Sequence, residues 1–419
     1  MKKHLLAASL LLSAVTSFGA GYQLNLQGLR QLAMGGTGAA WPWDASTIFY
    51  NPGGLARLKS IQVYASGLAI MPGTAFGNQV NSGNTGTSVT TKAQTFMPFN
   101  FYIGGPVQED SRIALGLGIY TIAGEGLDWG NNWLGKYIVQ SIQLQAVCFQ
   151  PTISYRVSNF LSVGGGFVYG IGNLDLRQAL PIHGTKGPFF GPLYDEGEAH
   201  LHGNASGQGF NLGAQFRFSD KVQMGLTYRS QINMGIGGGT ATFTVPTSLK
   251  SEFPNTNFDT QLPIPQVATI GIGLRPVEHL TLQFDLSYTG WNSFDSLRIN
   301  FAKQTSSLHN MHAPRHYRNT VTPRIGAAYK LGKVVSLMLG GAFDPTPVTN
   351  GFVSPDLPDA DRIIVTGGIA IKPMPRFTIL TAFEGTSSVK RAATYDYGNF
   401  NGTYKTEAAT VGLGIYYNF

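Results

Sequence analysis

The chain has 419 residues and a formal charge of +7, with 12% charged residues where soluble domains carry about 25%. Glycine is abundant (54 residues) and aromatics reach 12%. A single cysteine, Cys148, excludes an intramolecular disulfide framework. Two of the positive charges are Lys2 and Lys3 and the rest are scattered, which argues against nucleic-acid binding. Low charge with many glycines and aromatics fits strands that face something other than water.

The first residues, MKKHLLAASLLLSAVTSFGA, combine a basic start with an apolar run from Leu5 to Val15 and small residues at Ser17 and Gly19. This pattern predicts an export signal over residues 1–19 and a mature start near Ala20. No later segment offers 18 consecutive apolar residues, so no transmembrane helix is expected.

Residues 20–59 show no strand period. They carry Gly35-Gly36-Thr37-Gly38, the aromatics Trp41, Trp43, Phe49 and Tyr50, and the turn signal Asn51-Pro52-Gly53-Gly54. From residue 60 the period is two. In LTLQFDLSY (280–288), Leu280, Leu282, Phe284, Leu286 and Tyr288 share one face, and Thr281, Gln283, Asp285 and Ser287 share the other. About fourteen such segments are predicted, at 60–71, 94–104, 111–123, 138–157, 160–178, 207–218, 221–245, 264–275, 278–302, 317–331, 334–345, 360–372, 375–396 and 405–419. The connections alternate short and long, as in an outer-membrane barrel with short periplasmic turns and long external loops. The expected fold is therefore all-β: a transmembrane antiparallel β-barrel over 60–419. A secreted sandwich or propeller would turn a charged face outward, and here the opposite face is polar or tiny. A barrel of this width leaves a hole. Residues 20–59 are expected to fill it as a plug, with Asn51, Pro52 and Gly53 in the turn where plug passes into first strand.

The chain resembles the FadL/TodX family of outer-membrane transporters of long-chain fatty acids and other hydrophobic compounds. The resemblance rests on AGYQLN (20–25), DASTIFYNPGGLARL (44–58), YRS (228–230), YTGWNSF (288–294), AFDPTPV (342–348) and PDADRIIVTGG (358–368), in order. Gly53 stands where the family's hatch motif usually has Ala. The resemblance implies passive uptake of fatty acids or aromatic hydrocarbons. It implies capture in a groove between external loops, where Phe189, Phe190, Leu193 and Tyr194 form an apolar patch. Phe253, Phe258 and Leu262 are expected in a second such loop. It further implies basic anchors for a carboxylate at Arg177 and Arg315, and a lateral opening where Gly124, Glu125 and Gly126 interrupt the third strand. Arg217, Asp285, Arg324 and Glu384 are expected to face inward as a network.

Enzymatic chemistry is not expected. There is no G-x-S-x-G, and Gly116-x-Gly118 lacks the rest of a phosphate loop. His200-x-His202 and His309/His312/His316 fall in or beside external loops, so no metal or other cofactor is expected. The alternative function is a diffusion porin, which would have an open charged constriction and no plug. The expected partners are a hydrophobic small molecule, outer-membrane lipid and, during biogenesis, the barrel assembly machinery. The expected state is a monomer, with no nucleic acid bound.

Overall fold

Alternation of apolar and polar residues lets each strand bury one face and offer the other to lipid, and closing the sheet removes its edges. The computed structural model describes residues 21–78, 88–181 and 196–419. The expected export signal and the patch Phe189, Phe190, Leu193 and Tyr194 lie outside the described residues. Fourteen strands close into one antiparallel barrel. In chain order they are β1 (Gln62–Gly77), β2 (Phe99–Pro106), β3 (Ile113–Asp128), β4 (Ser141–Arg156), β5 (Leu161–Pro181) and β6 (Glu196–Arg217). Then come β7 (Val222–Arg229 and Ile232–Thr244), β8 (Thr256–Ile264 and Val267–Val277), β9 (Leu280–Thr289 and Ser296–Phe301) and β10 (Met311–Pro314 and Thr320–Leu331). The ring ends with β11 (Val335–Asp344), β12 (Arg362–Met374), β13 (Phe377–Ser388) and β14 (Phe400–Asn418), and β14 pairs back onto β1 from Gln62↔Asn418 to Gly77↔Thr403.

The faces fall as the alternation requires. Phe284, Leu286 and Tyr288 are exposed outward, while Thr281, Gln283, Asp285 and Ser287 are buried inward. An outward band of Leu, Ile, Val and aromatic side chains runs round the ring, including Leu115, Ile153, Leu339 and Leu413. The terminal Phe419 belongs to it, exposed, with its N–H donated to the Ile61 carbonyl.

The strands differ from expectation mainly at the long-loop end. β6 starts at Glu196 rather than near 207, and β8 starts at Thr256 rather than near 264. Four neighbours, β7 to β10, each break once, and their upper segments form a flap that pairs with β6 through Ile232–Thr244.

Inside the ring, residues 21–58 form a compact segment with two short helices, α1 (Leu29–Ala33) and α2 (Thr47–Tyr50), and a 3-10 turn over Pro52–Arg57. These helices are too short to persist alone. They are held by wall side chains that satisfy their backbone. Asp285 of β9 accepts from the Gly38 and Ala39 N–H groups at 2.8 and 3.0 Å. Asn211 of β6 donates to the Ile48 and Phe49 carbonyls, and Gln150 of β4 donates to Ile48. On the opposite wall, Thr366 of β12 accepts from Gly35 N–H at 2.8 Å. Asn51-Pro52-Gly53-Gly54 was expected to be the turn into the first strand, and the chain does not enter β1 there. That stretch caps and begins the 3-10 turn, which stays clamped to the wall, and β1 starts only at Gln62.

Candidate functional site

Two of the cavities among the described residues matter for the lumen, one on either side of residues 22–26. The upper one, toward the long loops, has a volume of about 280 Å³. Its walls are Ile142 and Leu144 of β4, Leu174 and Leu176 of β5, and the flap residues Met234, Ile236, Leu262, Leu297, Ile299 and Met311. Tyr22 and Phe294 also line it, their rings edge to face at 5.7 Å, with Trp291 packed on Tyr22 at 5.0 Å. The Tyr22 hydroxyl donates to the Pro263 carbonyl. Tyr137, Tyr395, Tyr397 and Leu357 come from the external connections. A stacked pair, Trp129 and Trp133 at 4.5 Å, packs with Phe76 beside these connections, and the Trp129 indole donates to the Pro355 carbonyl.

Among the described residues, three charged side chains line this apolar cavity: Arg315, Asp356 and Glu125. Arg315 donates from Nη1 to Asp356 Oδ1 (3.1 Å) and from Nη2 to Asp356 Oδ2 (2.7 Å), and the two side chains are 3% and 8% exposed. The guanidinium is therefore already bound to a carboxylate of the chain itself. Among the described residues no ion pair to Glu125 is found.

The lower cavity, about 180 Å³, is polar. Arg229, Arg324 and Arg362 face Asp285, Asp344 and Glu384 across it. Arg362 lies 3.8 Å from Asp344, Thr322 donates to Asp344 at 3.0 Å, and Arg324 reaches the Gly35 carbonyl at 3.2 Å. The expected inward network thus includes Asp285, Arg324 and Glu384 but not Arg217, which pairs with Asp220 in the short β6–β7 turn. Arg229, Asp344 and Arg362 were not singled out in the sequence. Each sits on an inward register position, which was the available signal.

Arg177 is placed apart from Arg315. The side chains that enter the cavity from β5 are Leu174, Leu176 and Gln178, and the pleat turns the intervening Arg177 to the outer surface. There Arg177 pairs with Glu198 at 3.0 Å and lies 3.8 Å from Asp175. This position does not fit a lumenal anchor. His200 and His202 share the same outer surface, 2.8 and 3.5 Å from Asp175, and His316 pairs with Asp295. Phe258 is not on a loop but in β8, buried beneath Gly239, and Leu262 lines the cavity from the same strand. Phe253 packs on Phe243, which also meets Phe301.

Gly124, Glu125 and Gly126 lie within β3, which continues to Asp128 rather than ending near 123. Pairing of β3 with β2 stops at Tyr120↔Asn100, where β2 itself has ended. A register shift at Thr121/Ala123 breaks the ladder with β4. Beyond it the free edge of β3 is taken by the N-terminal segment: Leu24 N–H donates to Ile122 and Gly124 N–H donates to Tyr22. Phe96 covers Gly126 so closely that a Cβ there would overlap its ring.

A closed barrel with an apolar outer band and a folded segment in its lumen defines an outer-membrane transport protein. The chain belongs to the family described as outer membrane protein transport protein (OMPP1/FadL/TodX), whose pattern matches residues 10–419. A long-chain fatty acid transport protein of Escherichia coli O6:H1 is 24% identical, covering 94% of this chain and 91% of that one. Outer membrane protein P1 of Haemophilus influenzae is 22% identical, covering 90% and 89%. Among solved structures, a Pseudomonas aeruginosa FadL homologue superposes with a TM-score of 0.82 at 20% identity, covering 96% of this chain and 100% of that one. The Ralstonia pickettii toluene transporter TbuX gives 0.68 at 17% identity, covering 94% and 98%.

Proposed function

We propose that this protein carries hydrophobic small molecules, of the fatty-acid or aromatic-hydrocarbon class, passively across the outer membrane, and releases them sideways into the bilayer. The observation that carries the reading is the apolar cavity set against an interrupted stretch of wall. Its inner boundary includes Glu125, and β3 at Glu125 has no pairing with β2. Similar proteins named for long-chain fatty acid transport and for toluene transport support the substrate class.

Two physical arguments favour the lateral route. A ligand moving straight down must leave apolar walls for a cavity lined by three arginines and three carboxyl groups, and then pass the lumenal segment. Beyond that lies water, where each exposed CH₂ costs about 0.8 kcal/mol. A step through the β2–β3 gap meets lipid instead. A porin reading requires an open lumen, and the folded segment at 21–58 opposes it.

The experiment is a pair of measurements on purified protein in planar bilayers and in cells. The intact chain is expected to show near-silent conductance together with uptake of hydrophobic compounds. Deleting residues 25–50 is expected to raise permeability to small hydrophilic solutes. Large, steady conductance from the intact chain would favour the porin instead.

A further inference from the structure

We infer that the upper cavity is selective for uncharged ligands, so that the cargo is a neutral hydrophobic molecule and not an ionised carboxylate. This rests on the uptake reading above and narrows its substrate class. It also reverses the role expected for Arg315.

An apolar cavity can accept a carboxylate only if it supplies a free positive partner. Among the described residues the cavity has one guanidinium, and its charge is already offset. Both of its terminal nitrogens bond to Asp356, and the pair is almost wholly buried. An incoming carboxylate that takes both terminal nitrogens must release Asp356 into surroundings of Leu357, Phe294 and Tyr395, leaving a buried charge unpaired, and one that takes only the unpartnered Nε–H adds a second carboxylate to a cation whose charge Asp356 already offsets. Breaking a buried pair in this way is far costlier than leaving it intact. A carboxylate that leaves the pair alone meets Glu125 as the other charged group of the lining. With one cation and two carboxyl groups, the charged lining is neutral or negative whatever the state of Glu125. An uncharged ligand faces none of this. It exchanges water for aliphatic and aromatic walls. The cavity, about 280 Å³, is larger than the ~150 Å³ engineered cavity that holds benzene.

The discriminating experiment measures calorimetric binding of decan-1-ol and decanoate to the purified full-length barrel at pH 8. The wild type is expected to bind the alcohol and to bind decanoate weakly or not at all. Asp356→Asn frees the guanidinium, and the alcohol-to-acid affinity ratio is then expected to fall by about tenfold or more, in line with the cost of an uncompensated buried charge. Glu125→Gln leaves the buried pair intact and is expected to lower the ratio in the same direction. It serves if Asp356→Asn fails to fold. Decanoate binding as tightly as decanol in the wild type overturns the selectivity while leaving the uptake reading intact. So does a ratio unmoved in every variant that folds. Binding of neither probe to the folded wild type overturns both.

Discussion

Asn51 and Ala39, twelve residues apart, are joined by a hydrogen bond from the Asn51 amide to the Ala39 carbonyl at 2.7 Å. The same amide donates to Ala214 of β6 at 3.1 Å, and its oxygen accepts from Gly53 N–H at 3.1 Å. One buried side chain thus ties the Gly-rich loop, the 3-10 turn and the barrel wall together.

Asn51→Ala leaves those partners without their bonds. Unsatisfied buried groups cost about 1–3 kcal/mol each. The cost falls on docking of the lumenal segment, because the barrel ladder does not use this side chain. The expected outcome is an intact barrel with raised single-channel conductance and faster hydrogen exchange across 35–57. Asn51→Asp keeps the acceptor for Gly53 but turns a carboxylate oxygen toward the Ala39 and Ala214 carbonyls and Gln215 Oε1, so a conductance at least as high as that of Asn51→Ala is expected.

The inward glycines make a second, sharper test. A Cβ at Gly225 would overlap the Ala39 carbonyl, and one at Gly340 would overlap the Met34–Gly35 peptide. At Gly67, on the outward face of β1, a Cβ meets nothing within 4 Å. Overpacking a tight contact costs about 1–3 kcal/mol. Gly225→Ala is therefore expected to loosen the segment and raise leakage of hydrophilic solutes, with Gly67→Ala silent in the same assay.

These glycines also show what the sequence carried and what it withheld. Period-two alternation placed most strands within a few residues, because one face must meet lipid and the other must not. It also set Asp285, Arg324 and Glu384 on the inner face. It could not say why the inner face was tiny at Gly116 and Gly118. A Cβ at Gly116 would lie 2.6 Å from Ile48 of α2, so the contact with the lumenal segment decides. Nor could local sequence show that Asp356, on the connection between β11 and β12, occupies the arms of Arg315, since that pairing spans 41 residues of chain. Arg177 lies one residue from the inward Leu176, and a one-residue offset on a strand is the opposite face.

The same β11–β12 connection predicts a dependence on pH. Burial, partly offset by a hydrogen bond from Thr346 N–H and by Arg391, pushes the Asp361 carboxyl up from 3.8 to about 6. Between these values the docked connection holds more protons than the undocked one, so docking weakens as pH rises from about 4 to 6 and is level above about 7. Hydrogen exchange in 345–360, compared between wild type and Asp361→Asn at each pH, is expected to show this. The wild type should lose protection through that window, and the variant should show no such loss.

The lateral route makes the last prediction. β3 beyond Tyr120 has no pairing with β2, and its edge is held instead by two hydrogen bonds to residues 22–24 and, at its end, by one from Lys92 N–H to the Asp128 carbonyl. What fills the gap at Gly126 is a side chain, the Phe96 ring, not a ladder of backbone bonds. A ring can rotate aside at a fraction of the cost of parting paired strands. A cargo leaving the cavity beside Glu125 would therefore displace Phe96 to reach the membrane. Replacing Phe96 and Gly126 with Cys, with Cys148 changed to Ser, allows the two sides to be bridged by a short thiol cross-linker. The bridged protein is expected to keep its heat-resistant barrel and bind cargo, but to lose uptake, with recovery on reduction of a cleavable linker. Phe96→Ala, which empties the gap, is expected to keep uptake or speed it. Full uptake with the bridge shown closed by mass spectrometry would exclude this exit and send the cargo down through the lumen.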